Sequence, residues 1–386
     1  MLRRVGVIGG GQLAAMMGDG AQRLGVDLII QTPQALDPAV AIATETILAP
    51  VDDADATARL AERCDLITFE NEFINVDALR PLENAGVRFH PRLDSLAPLL
   101  DKYDQRSFLK KLGLPTPQFT VINKRNVEDP ETLATAIPFK FPVVLKARRH
   151  GYDGQGTFIV KSLDDLISVI RQSEVDSWLL EEFVPFEREL AVMVARSGTG
   201  EILVYPVVET QQEHQVCRRV LVVNDIDLSV SAEVGAIART LMDRLQVIGI
   251  FGIELFLTQS GDVLVNEIAP RTHNSGHYTL DACATSQFEQ HLRAVCHLPL
   301  GNPHLRCQAA VMVNLLGYEY ANQDYAHQRR QLAMLHQTFV HWYGKTESRP
   351  GRKLGHVTVL LDEPAVEQQR SQAVEITQKI EEIWYP

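Results

Sequence analysis

The stretch Phe251–His277 reads FGIELFLTQSGDVLVNEIAPRTHNSGH, and it constrains this chain more than any other segment. Ser260-Gly261 separates two arms rich in apolar and β-branched residues, which is a hairpin signature. A two-residue loop there pairs positions whose numbers add to 521, so Thr258 faces Val263, Phe256 faces Val265 and Glu254 faces Glu267. Residues opposed in this way have Cβ atoms roughly 5 Å apart. Two carboxylates at that separation repel by about 3 kcal/mol at an effective dielectric near 20. A Phe256–Val265 pair on the same face predicts partial burial, so water is a poor remedy. The pair needs a shared proton, a nearby Lys or Arg, or a metal ion. Mg2+ takes carboxylate oxygens and commonly brings phosphates with it.

The 386 residues suffice for two or three domains. A formal net charge of −12 argues against a general nucleic-acid grip and makes any basic cluster stand out. Cys64, Cys217, Cys283, Cys296 and Cys307 are scattered, odd in number and free of CxxC spacing. They read as reduced thiols with no zinc site. MLRRVGVIGGGQ enters a strand with no secretory apolar region, and no run approaches a membrane span, so a cytoplasmic setting without a membrane partner is expected.

In chain order, strand Val5–Ile8, the glycines Gly9-Gly10-Gly11, a helix Gln12–Leu24 stopped by Gly25, and strand Asp27–Ile30 form a βαβ opening. Gly9, Gly11 and Ala14 fit the dinucleotide fingerprint, but Gln31 stands where a ribose-binding acid belongs. A glycine turn that binds a simpler anion, or only packs tightly, is the preferred reading over a nicotinamide site. Strands Asp65–Phe69 and Val87–His90 follow, with Glu70-Asn71-Glu72 at the first one's end, on the edge of a parallel sheet where ligands collect. Asp101 caps a helix through Leu112. The strand Phe141–Ala147 carries Lys146 and runs into RRHGYDGQGT at Arg148–Thr157, a glycine density suited to wrapping phosphates but lacking the Walker GK[ST]. Strands at Trp178–Val184, Glu189–Ala195 and Tyr205–Val208 predict an antiparallel middle region, followed by helices Ala232–Leu245 and Gln287–Val295. Strand Ala309–Leu315 precedes Lys345, Arg349, Arg352 and Lys353, which gather on a Gly/Pro turn as a candidate anion site. An amphipathic helix over Ala365–Trp384 ends the chain.

With these segments in view, the chain resembles the ATP-grasp superfamily, and within it the N5-carboxyaminoimidazole ribonucleotide synthetase family. The resemblance runs nearly end to end. It is carried by GGGQL at Gly9, the Glu70/Glu72 pair, VLKARRHGYDGQG at Val144, EEFVPFERELAVMVAR at Glu181, YPVVE at Tyr205, VNEIAPRTHNSGH at Val265, ATSQFEQHLRAV at Ala284 and YGKTESRPGRKLGHV at Tyr343. It implies a doubly wound N-terminal domain (residues 1–103), an ATP-grasp domain with antiparallel sheets (104–298) and a small C-terminal domain (299–386), an α/β and α+β fold. The implied reaction is ATP-dependent carboxylation of 5-aminoimidazole ribonucleotide with bicarbonate, with Mg2+ (Mn2+ as the alternative ion), in a homodimer.

By the same resemblance, Glu254 and Glu267 hold the metal and Arg271, Lys146 and Asp153 are catalytic. Nucleotide contacts fall to Lys102, Arg106, Lys146, Glu181, Glu182, Phe183, Val184, Glu189, Gln212, His214, Asn266 and Glu267, and to a closing loop of Gly151, Tyr152, Asp153, Gly154, Gln155, Gly156 and Thr157. Asp153, Asn274, Ser275, Lys345, Arg352 and Lys353 take the ribotide. The chain departs from the family pattern at Lys102, Gln155 and Thr272, where Arg, a basic residue, and Pro or Val are usual. A formate-dependent ribotide transformylase is the rival enzyme reading, and a non-catalytic nucleotide-binding module the rival from another class.

Overall fold

The computed structural model describes residues 3–149, 156–345 and 347–386. Strands β1 (Arg4–Ile8), β2 (Asp27–Thr32), β3 (Glu45–Leu48) and β4 (Leu66–Phe69) form a parallel sheet in the order β3-β2-β1-β4. Both faces are covered, which is why these strands are apolar almost throughout. Val5, Val7, Leu28 and Ile30 pack into one layer, and Ile8 and Ile29 into the other. The order reverses between β1 and β4, so a crevice opens beyond their carboxyl ends.

Two expectations for this region need correction. The helix is split into Gln12–Ala15 and Gly18–Leu24 where Gly18 packs against Ile42. Val87–His90 makes only a bridge, Ile67 to Phe89. Its first amide is spent on Leu82 O at the preceding helix, and Pro91 has no donor to extend the pairing.

A small antiparallel sheet follows, with β5 (Phe119–Asn123), β6 (Val143–Ala147), β7 (Thr157–Val160) and β8 (Ser177–Glu182) in the order β5-β8-β6-β7. Val143, Leu145 and Ala147 of β6 and Trp178 and Leu180 of β8 pack under helix Leu163–Gln172. The two-residue period therefore turns Lys146 and Glu181 to the opposite face.

The large sheet contains β9 (Phe186–Arg196), β10 (Ile202–Val204), β11 (Val208–Glu213), β12 (Val216–Val222), β13 (Gly249–Thr258), β14 (Val263–Ala269) and β15 (Ala309–Leu316). It continues, past β16 (Ala321–Asn322), with β17 (Thr338–Trp342) and, past β18 (Glu347–Ser348), with β19 (Lys353–Leu361). Its order is β14-β13-β9-β11-β12-β15-β19-β17, with β10 on β9, while β16 and β18 pair separately. The single strand expected at Tyr205–Val208 is instead a link between β10 and β11. Tyr205 is buried with its hydroxyl donating to Thr285 O, and Pro206 has no amide to give to a ladder. Helix Val366–Trp384 covers β15 and β19 through Ala373, Ile380 and Trp384.

The hairpin of β13 and β14 differs from its expected register. Thr258 N donates to Asp262 O and Gly261 N to Thr258 O, so the loop is three residues, Gln259–Gly261, with Gly261 at φ +88. This shifts the outer pairs by one: Leu257 faces Val263 and Phe256 faces Leu264. A bulge at the inner end restores the count, and Glu254 does face Glu267.

Candidate active site

The small sheet, the large sheet and the carboxyl edge of the first sheet enclose one cavity of about 880 Å3. The bulge in β14 decides which side chains enter it. Val263, Val265 and Ile268 stay in the core, and the extra residue lets both Asn266 and Glu267 point the other way. Asn266 Oδ1 accepts from Lys146 Nζ at 3.0 Å. Lys146 Nζ also meets Glu181 Oε2 at 2.7 Å, and the other Glu181 oxygen takes Arg106 Nε. Burial would raise Glu181, but the Arg106 and Lys146 charges overcome it and hold the carboxyl down at about 2. Lys146 is pulled below its ordinary range by burial, partly offset by Glu181. Arg106, expected among the nucleotide contacts, is 2% exposed and off the cavity wall, so what it holds is Glu181.

The opposed carboxylates are compensated unequally. Burial, then Glu267 and Glu189, push Glu254 up to about 7. Burial opposes ionisation of Glu267 as well, yet Lys102 Nζ at 2.6 Å from its Oε1 brings it down to about 2. Lys102 thus pairs with Glu267, while Glu254 keeps a proton near neutrality. Such an arrangement suits a divalent ion: one carboxylate already ionised and facing the cavity, and a second that ionises readily once positive charge arrives. His273 Nε2 lies 3.7 Å from Glu254 Oε1. Burial also raises Glu189 to about 7.

At the edge of the first sheet, Arg271 Nε donates to Glu72 Oε2 at 2.9 Å and ties this edge to the end of the hairpin. The glycine turn after β1 packs tightly around an internal carboxylate. A Cβ on Gly11 would lie 2.3 Å from Glu70 Oε1, and one on Gly9 would lie 2.6 Å from Glu70 Oε2. Gln31 is buried, accepting from Thr57 Oγ1 and donating to Pro50 O. The crevice that would take a dinucleotide is therefore filled by Glu70.

Other expected residues divide by position. Glu182, Phe183, Val184, Glu189, Gln212, Thr157, Asn274 and Lys353 line the cavity. Glu182 also accepts from Gln118 N. Gly156 precedes β7, and its carbonyl accepts from Ala147 N. His214, at φ +52 in the turn between β11 and β12, is off the wall, and its neighbour Gln215 lines it and donates to Thr157 O at 3.3 Å. Ser275 is buried against His273 Nδ1 rather than facing the cavity. Lys345 Nζ reaches Gln12 Oε1 at 3.1 Å and Lys353 O at 2.9 Å. Arg352 is engaged by Glu347 at 3.1 Å and lies off the wall. Gly151, Tyr152, Asp153, Gly154 and Gln155 lie outside the described residues. Gln12, Glu72, His273 and His277 line the cavity without having been singled out as site residues, although each sits in a motif quoted above.

Two antiparallel sheets gripping a cavity that holds a lysine, paired carboxylates and an arginine define an ATP-grasp ligase. The ATP-grasp domain family matches residues 107–288, the ribonucleotide synthetase preATP-grasp domain residues 2–98, and the phosphoribosylaminoimidazole carboxylase C-terminal domain residues 310–370. The chain is 54% identical to the N5-carboxyaminoimidazole ribonucleotide synthase of Synechococcus elongatus over 384 residues, covering 99% of this chain and 96% of that one. It superposes on the Thermotoga maritima synthetase with TM-score 0.85 at 41% identity, covering 98% of each chain. It also superposes on the Aspergillus clavatus synthase in complex with ADP and 5-aminoimidazole ribonucleotide, with TM-score 0.87 at 28% identity, covering 98% of this chain and 99% of that one. The chain belongs to the N5-carboxyaminoimidazole ribonucleotide synthase family.

Proposed function

We propose that this cavity carries out ATP-dependent carboxylation of 5-aminoimidazole ribonucleotide. Bicarbonate attacks the γ-phosphorus of ATP to give carboxyphosphate and ADP, and the ribotide amine then takes the carboxyl group, releasing phosphate. The observation that carries this reading is the meeting, on one cavity wall, of Lys146, the Glu254–Glu267 pair with Arg271, and Lys353, drawn from three separate stretches of chain.

Little covalent work falls to the protein in phosphoryl transfer, where positioning and charge stabilisation dominate. Lys146, fixed between Glu181 and Asn266, is aimed where the nucleotide phosphates enter. The Glu182–Val184 backbone and Glu189 border the nucleotide side. Glu254 and Glu267 would hold Mg2+, which supplies neutralisation of phosphate charge. Lys102 then leaves Glu267 for a phosphate oxygen as a point charge. Arg271, held by Glu72, faces the reacting bicarbonate and phosphoryl oxygens. Lys353, with Lys345 anchored on Gln12, meets the ribotide phosphate, and Arg352 joins them by leaving Glu347. From the family pattern, Asp153 takes the ribotide amine.

Among the described residues no helix is long and apolar enough to cross a membrane. Burial raises the thiols of Cys64 to about 11 and of Cys283 and Cys296 to about 12, which fits reduced cysteines in the cytoplasm. Exposed Leu48 at the end of edge strand β3 and Ile42 just before that strand support a homodimer. The decisive experiment is ADP release with and without 5-aminoimidazole ribonucleotide and bicarbonate. Dependence on both is expected, and release driven by formate instead would overturn the reading.

A further inference from the structure

A second group of ligand-bearing side chains lies under the C-terminal strands. Asp281 on helix Thr279–Ala282, His341 on β17 and His356 on β19 each bring one ligand atom within 4.8 Å of the others. His341 and His356 are cross-strand partners with rings 4.5 Å apart and 15° from parallel. His341 Nε2 lies 2.8 Å from Asp281 Oδ2. His356 is fully buried, and Tyr343 OH sits 2.8 Å from its Nδ1. Its Nε2 has no partner among the described residues. An unpaired buried polar nitrogen costs about 1–3 kcal/mol, so a site that leaves one open calls for something to meet it.

Burial holds His356 well below the ordinary imidazole range, so the ring is neutral, the form that ligates metals. In the tautomer with its proton on Nδ1, shared with Tyr343 OH, His356 presents the Nε2 lone pair, the arrangement that second-shell partners of metal-binding histidines impose. Two imidazoles and a carboxylate match a borderline divalent ion of the zinc class rather than Mg2+, which prefers oxygen donors.

We propose that Asp281, His341 and His356 bind a divalent transition-metal ion of the zinc class at a site separate from the Glu254–Glu267 hairpin. The near-parallel rings place the two imidazoles side by side, so binding requires one to turn. That one is His341, which sits on the terminal strand of the sheet with 31% of its side chain exposed, while His356 stays fixed by Tyr343. Binding therefore opens the ring stack and ties the short helix carrying Asp281 to β17 and β19.

The test uses the full-length protein with the hairpin carboxylates occupied by saturating Mg2+ and ADP. Zn2+ is titrated calorimetrically, and Co2+ is titrated with its visible absorption recorded. We expect one equivalent of tight Zn2+ binding, a tetrahedral Co2+ spectrum, and a thermal midpoint that rises with Zn2+. His341→Ala, at a partly exposed position that preserves the fold, and Asp281→Asn should each weaken binding by at least about tenfold. Glu267→Gln should leave it intact. Absence of stoichiometric binding, retention of full affinity in His341→Ala, or loss in Glu267→Gln would each overturn the proposal.

Discussion

Lowering the pH from 8 to 6 should weaken Mg2+ binding at the hairpin about tenfold. The magnitude comes from Glu254, whose carboxyl is raised to about 7 by burial and by Glu267 and Glu189. A proton competes with the ion for this ligand, so the apparent dissociation constant grows by a factor of one plus ten to the power of seven minus pH. That factor is about 1.1 at pH 8 and about 11 at pH 6, a difference of about 1.4 kcal/mol. Glu267, held at about 2 by Lys102 against the effect of burial, stays ionised throughout and adds nothing to the slope. The sign is also visible in stability. Because the folded-state value lies above the ordinary carboxylate value, the stabilisation from protonated Glu254 is fully present below about 4.5 and is lost as pH rises through about 7. The metal-free protein should thus lose thermal stability between pH 6 and 8, and Mg2+ should restore it. The assay is Mg2+ titration of nucleotide-loaded protein at the two pH values, with Glu254→Gln giving the nucleotide's own protonation for subtraction. Equal affinities at pH 6 and 8, or a dependence centred near pH 4.5, would show that the opposed pair does not perturb Glu254.

Glu181→Gln leaves Lys146 and Arg106 buried with a neutral partner and should destabilise the fold by about 3–5 kcal/mol, read from urea midpoints. Lys353→Ala should raise the KM for 5-aminoimidazole ribonucleotide roughly 10- to 150-fold with little change for ATP. Arg352→Ala should do less, because Glu347 already engages that guanidinium, and the reverse ranking in paired saturation curves would reassign the phosphate to Arg352. Gly11→Ala drives a methyl into Glu70 and should cost about 1–3 kcal/mol in chemical denaturation, so a neutral result would show that the glycine turn is not shaped by that carboxylate.

Local pattern was enough to place most strands and helices and to oppose Glu254 to Glu267, because two-residue alternation and turn chemistry act over a few neighbouring residues. Even there, two local errors cancelled. The loop has one residue more than the shortest turn, and the bulge at Asn266 takes up that residue, so the carboxylates meet although Phe256 and Val265 do not. The glycine turn was legible as a close approach, but its occupant was not, since Glu70 arrives from β4 across the sheet. The same limit hid Lys102 on Glu267, Glu72 on Arg271 and Gln12 under Lys345, whose members stand 165, 199 and 333 residues apart. Charges so distant along the chain carry no mutual signal in composition or periodicity. Packing of helix Gln287–Val295 on both the parallel sheet and β13 brings that sheet's edge to the hairpin, and the charges that tertiary structure sets beside Glu254 and Glu267 decide the protonation of each.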